Sequence, residues 1–183
     1  MALTESRDLS LGTACPDFRL RSVEGKSFAR DDFKAKPVLV VMFICNHCPY
    51  VKAVLDRIIR DCNELAPHGI GSIAIMPNDP ADYPEDSFDN MKRIAQAKRF
   101  AFPYVIDETQ DVARAYGVVC TPEFFGFNAA LELEYHGRLD ASRRDPIPNA
   151  RRELYEAMVQ IAASGSGPKE QHPSVGCSIK WKT

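Results

Sequence analysis

Val38-Leu39-Val40-Val41-Met42-Phe43-Ile44-Cys45-Asn46-His47-Cys48-Pro49 decides how the chain is read. An apolar run of strand length stops at two cysteines in Cys-x-x-Cys spacing. The next residues predict a helix over 50–65, because Val51, Val54, Leu55, Ile58, Ile59, Cys62 and Leu65 recur at three- and four-residue steps. Pro49 suits a helix start, where a missing N–H loses no partner. Cys45 and Cys48 therefore fall at a strand-to-helix junction, on or just before the first turn. Unpaired helix N–H groups there favour a thiolate and lower its pKa.

Outward from this junction the pattern is α/β. The first strand is apolar throughout rather than alternating, which predicts cover on both faces. Pro67 and Gly69 end the helix, and residues 70–76 predict a second buried strand. A polar, proline-rich loop, Pro77 to Pro84, leaves its carboxyl end, where open α/β sheets keep their sites. Ser87 is the expected cap of a helix with Phe88, Met91 and Ile94 inward. A short strand over 102–106 and a short helix over 107–116 follow. Residues 123–127 and 131–135 read as a hairpin, so antiparallel strands adjoin a parallel pair in a central mixed β-sheet flanked by helices.

At the amino end, Val23 to Phe28 reads as a turn between two short strands, a β-hairpin extension of the sheet. Asn149 is the expected cap of a last helix over 150–163, which Ser164-Gly165-Ser166-Gly167-Pro168 breaks. One domain over 1–163 and an extended C-terminal arm over 164–183 are expected. In the arm, Val175, Cys177, Ile179 and Trp181 suit a segment laid along the body, with Cys177 and Trp181 on one face. It is expected to pack beside the active-site end and to bring Cys177 near the other cysteines.

A formal net charge of -2, from 23 Lys+Arg against 25 Asp+Glu, gives no reason to expect a nucleic-acid partner. No apolar stretch is long enough to span a bilayer, so no membrane partner is expected. The first ten residues lack the apolar core of a secretory signal, which points to the cytoplasm. Six cysteines in such a chain are not needed as a disulfide framework, so at least one pair should be reactive or metal-binding.

Two thiols three residues apart at a helix start can close a disulfide without unfolding anything. Cys45 is the expected attacking thiolate, nearer the helix N–H groups and solvent, with Cys48 resolving the mixed disulfide. An imidazolium at His47 would stabilise the thiolate. A zinc site is the alternative, with Cys120 and Cys177 completing the pair or His47 as a ligand. Cys15 and Cys62 read as packing residues, and His68, His136 and His172 as surface groups.

The strand ending in Phe43-Ile44-Cys45-Asn46-His47-Cys48-Pro49, the later Thr121-Pro122, and Gly12-x-x-Cys15-Pro16-Asp17-Phe18-x-Leu20 carry a resemblance. The chain resembles the thioredoxin-like superfamily, and within it the alkyl hydroperoxide reductase/thiol-specific antioxidant, peroxiredoxin-like branch. The resemblance runs from about Leu11 to Ala163, and implies a thioredoxin-like fold with a cis Thr121-Pro122 bond lying against the cysteines. It implies redox chemistry at Cys45, Cys48, His47, Thr121 and Pro122, with Cys120 and Cys177 as auxiliary thiols and no cofactor. Met42-Phe43-Ile44-Cys45 replaces the family's proline and threonine ahead of the peroxidatic cysteine, with Cys48 at the peroxidatic position. Leu39 replaces the buried aspartate of thioredoxins, leaving water, Glu123 or His47 as proton acceptor.

Thiol–disulfide exchange with a protein or small-molecule disulfide is therefore the expected function. Thiol-dependent peroxide reduction and a redox-sensing module without turnover are the alternatives.

Overall fold

The six residues Val38–Phe43 form a strand that is buried throughout, and the pleat divides them between two cores. Val38, Val40 and Met42 share one cluster with Val54, Ile58 and Met158, while Leu39, Val41 and Phe43 share the other with Tyr116, Phe125 and Phe127. Burial on both faces is why no polar residue interrupts the run. Each such side chain contributes about 1.5–3 kcal/mol before the entropy of ordering it is subtracted.

The computed structural model describes residues 2–183. Its strands are β1 (Leu3–Glu5), β2 (Arg19–Ser22), β3 (Ser27–Ala29), β4 (Val38–Phe43), β5 (Gly71–Met76), β6 (Tyr104–Ile106), β7 (Cys120–Thr121), β8 (Glu123–Asn128), β9 (Leu133–Gly137) and β10 (Val175–Ser178). Its α-helices are α1 (Pro49–Leu65), α2 (Phe88–Ala97), α3 (Asp111–Tyr116) and α4 (Glu153–Ser164). The main sheet has seven strands in the order β3-β2-β6-β5-β4-β8-β9. β4, β5 and β6 are parallel, and antiparallel strands flank them on both sides. This is the mixed sheet the sequence predicts, with the β2–β3 hairpin at one edge.

Two helix starts differ from expectation. α4 begins at Glu153, with Arg152 in the cap position, because Asn149 takes a left-handed turn (φ 55°) instead of capping. α3 begins at Asp111, because Asp107 stays outside and its carboxylate accepts the Ala113 N–H at 2.7 Å. Ser87 does cap α2, its hydroxyl oxygen accepting the Asn90 N–H at 3.3 Å.

A second, three-stranded sheet has the order β1-β10-β7. It lays the C-terminal strand between the chain's first strand and the segment ahead of Pro122, pairing Cys177 with both Leu3 and Thr121. The ladder ends at Ser178, so the alternation does not carry to the last aromatic. Ile179 is buried, whereas Trp181 is 37% exposed, with the Arg114 guanidinium 4.4 Å from its ring centroid.

Candidate active site

α1 starts at Pro49, and Cys48 is its cap residue, with extended backbone (φ -67°, ψ 122°). Cys45 lies in the loop between the end of β4 and this cap. Its Sγ is 3.3 Å from the Thr121 hydroxyl. Cys48 Sγ lies 3.3 Å from the Thr121 carbonyl oxygen and 2.8 Å from Cys177 Sγ. The Thr121-Pro122 bond is cis. Thus β4, α1, β7 and β10 bring Cys45, Cys48, Thr121 and Cys177 together, all of them free thiols or buried polar groups.

The pKa directions of the two thiols run opposite to the expected order. Contacts from the Cys177 thiol, then from Cys45 and the Val51 N–H, hold the Cys48 thiol well below its ordinary range. Cys45 is pushed well above that range, first by burial and then by Cys48 and the Asp86 carboxylate. The neighbouring thiols come first among the causes, and the Val51 N–H in the first turn of α1, which Cys48 caps, adds to them. Both thiols are buried.

His47 pairs with Asp86, and one of its ring nitrogens lies within 4.8 Å of the Cys45 thiol. Its Nδ1 meets Asp86 Oδ2 at 2.5 Å, and its ring stacks on Tyr83 with centroids 4.2 Å apart. Asp86 is completely buried, in a turn between β5 and α2. Its carboxylate also accepts the backbone N–H groups of Asn46 (2.7 Å) and His47 (3.1 Å), and the side-chain N–H of Asn78 (3.0 Å). Tyr104 donates its hydroxyl to the Asn46 side-chain oxygen at 2.8 Å. Asp86 therefore sets the backbone between the two cysteines, and no motif in the sequence marks it. The only sequence signal is its place in the loop beyond a buried parallel strand.

A second buried carboxylate, Glu123, sits on the other side of the cluster. One oxygen accepts from the Val119 and Cys120 N–H groups at 3.1 and 3.3 Å, and the other meets His136 Nε2 at 2.7 Å. His136 is thus a buried partner rather than a surface group, because β9 places it beside Phe125, against which it stacks. Cys120 lies 3.6 Å from Glu123, and burial followed by that carboxylate pushes its thiol far up. Cys15 and Cys62 are packed thiols, pushed up by burial to about 11 and about 12.

Among the described residues the one grouping of metal-ligand atoms is Cys45, His47 and Asp86, within 4.8 Å of one another. Both Asp86 oxygens are already occupied by N–H donors, and neither Cys120 nor Cys177 belongs to the group. The four-ligand zinc site weighed from sequence is not assembled. A small cleft lies beside Pro122, lined by Tyr50, Val54, Phe124, Arg143 and Val175. Among the described residues no helix is long and apolar enough to cross a membrane.

A model of the AhpC/TSA family matches residues 11–140. An uncharacterized conserved protein from Geobacillus kaustophilus has a similar structure, with TM-score 0.93, 43% identity, and coverage of 100% of this chain and 97% of that one. The thioredoxin domain of a thiol-disulfide oxidoreductase from Bacteroides vulgatus shares the fold, with TM-score 0.64 and 16% identity over 85% of this chain and 99% of that one. The thiol-disulfide oxidoreductase ResA of Geobacillus thermodenitrificans is 28% identical over 128 residues, 67% of this chain and 66% of that protein.

Proposed function

We propose that this chain, which belongs to the AhpC/TSA family, is a thiol–disulfide oxidoreductase that exchanges disulfides at Cys48 of a Cys45–Cys48 couple. The observation that carries this reading is the Cys48 thiol at the start of α1, opposite the carbonyl of Thr121, with further thiols around it. The Cys48 thiolate attacks one sulfur of a protein or small-molecule disulfide. A mixed disulfide forms and a thiolate leaves. Attack of a second thiol on Cys48 Sγ expels the other half of the substrate, and two electrons have then passed to it. In the oxidised product of the couple, Cys45 is the partner of Cys48.

Two features support disulfide over peroxide as substrate. The Thr121 hydroxyl is turned to Cys45 rather than Cys48, and Cys45 itself stands where the family's peroxidatic motif has threonine.

The test is a side-by-side assay of the pure reduced protein. Reduction of insulin disulfides and of hydrogen peroxide would be followed with the same thiol reductant, in the parent and in Cys48→Ser. Disulfide reduction abolished by Cys48→Ser is expected. Fast peroxide turnover with insulin left intact would replace the proposal by a peroxidase, and silence in both assays would leave a sensing role.

A further inference from the structure

The C-terminal strand carries a thiol that the Cys45–Cys48 couple does not use. Resting on the exchange reading above, we propose that Cys177 resolves the mixed disulfide at Cys48, and that Cys45 then displaces it to close the Cys45–Cys48 bond.

Contact is the first reason. Cys177 Sγ is 2.8 Å from Cys48 Sγ. A disulfide of about 2.05 Å asks for only a small further approach of the two side chains. Cys45, by contrast, is engaged with the Thr121 hydroxyl, 3.3 Å from its Sγ.

The second reason is that the arm is fastened on both sides of Cys177. Ahead of it, Ser174 takes the Ser6 hydroxyl as acceptor for its N–H at 2.9 Å and donates its own hydroxyl to the Gly137 carbonyl at 2.6 Å. Behind it, the Ile179 N–H reaches the Val119 carbonyl at 3.1 Å, and the Lys180 N–H reaches the Asn78 side-chain oxygen at 2.9 Å. The Lys180 carbonyl accepts in turn from the Asp79 N–H and the Gln110 side chain, each at 2.8 Å. Cys177 is therefore presented to Cys48 by anchors that do not include the sulfur contact.

The third reason lies at Gly176. A Cβ there would collide with the Thr121 carbonyl, so only glycine lets β10 cross this close to the residue before Pro122. The strand is built to approach the site, and the residue after the glycine is the cysteine.

The chemistry balances. With the substrate's first sulfur bonded to Cys48, the Cys177 thiol attacks Cys48 Sγ. The Cys48–Cys177 bond forms, the bond to the substrate breaks, and the proton of Cys177 leaves with the expelled thiolate. Cys45 then attacks Cys48 Sγ, closing Cys45–Cys48 and returning a thiol at Cys177. That last step is an isomerisation with no net change in oxidation state.

One equivalent of 5,5'-dithiobis(2-nitrobenzoate) per reduced chain tests the order. The first coloured thiolate reports attack by Cys48, and the second reports resolution. In the parent, samples quenched by alkylation and digested should yield a Cys48–Cys177 peptide that gives way to Cys45–Cys48. In Cys45→Ser both thiolates should appear and the Cys48–Cys177 peptide should persist. In Cys177→Ser, or Cys177→Ala if serine unfolds the strand, the first release should remain while the second slows by about tenfold or more. A second release as fast as the parent's in either Cys177 variant would overturn the proposal. So would the absence of the Cys48–Cys177 peptide from the parent at every time. No first release from a folded Cys45→Ser/Cys177→Ser double variant would instead refute exchange at Cys48, the reading on which the proposal rests.

Discussion

Two buried carboxylate–imidazole pairs frame the thiol cluster, Asp86 with His47 and Glu123 with His136. Each carboxylate also takes two backbone N–H groups, each imidazole stacks on an aromatic ring, and each pair lies beside a cysteine. They differ in reach. Glu123 closes the turn it belongs to, binding N–H groups three and four residues back, and its imidazole comes from the adjacent strand. Asp86 reaches from the far side of β5 to the loop between Cys45 and Cys48, and holds Asn78 as well. A local clamp mostly keeps a turn in shape. A long-range clamp makes the geometry of the thiols depend on the folding of a distant loop, and it lends that loop's charge to Cys45.

Removing the carboxylates outright should separate the two most. Asp86→Ala strands an imidazole, two backbone N–H groups and an amide in a dry site, and should cost about 3–5 kcal/mol in urea unfolding. Glu123→Ala should cost less, about 1–3 kcal/mol, because its donors lie in one turn that can re-form around water. Equal losses, or the reverse order, would show that reach is not what distinguishes the pairs.

Charge alone is the next, smaller lever. In Asp86→Asn the negative neighbour that raises the Cys45 pKa is gone, so Cys45 should ionise at lower pH. Alkylation of Cys45 followed against pH and mapped by digestion should rise earlier than in the parent, whereas Glu123→Gln should leave that curve in place. Coincident curves for Asp86→Asn and the parent would assign the Cys45 shift to burial and to Cys48. The smallest effect is expected for His47→Gln. The acidity of Cys48 comes from Cys177, Cys45 and the Val51 N–H, so its alkylation curve and the reduction potential of the pair should barely move. A clear fall in potential would return the imidazole to the role first expected of it.

Much of the fold was legible in the sequence, and the reason is length. β4, α1 and β5 each run long enough for their apolar period to show. β1 and β7 have three and two residues, too few for any period, so the small sheet that receives the C-terminal strand could not be foreseen. Cys45, Cys48, Thr121 and Pro122 were visible as motifs. Asp86, Glu123 and His136 were harder, because one carboxylate in a polar loop looks the same whether it faces water or a buried N–H. The contact that bears most on Cys48 was not legible, because Cys177 lies 129 residues away in sequence and reaches it only through β10.

The placement of β10 gives the molecule a clasp. This strand lies between β1 and β7, so Leu3–Glu5 is joined to the small sheet through β10 alone. Whatever pulls Cys177 away from Thr121 therefore either carries the chain's first strand with it or leaves that strand unpaired. β1 and β10 together form one latch beside the thiols. A tag, fusion or trimming ahead of Leu3 is then no remote change, since it loads the same latch from its other side.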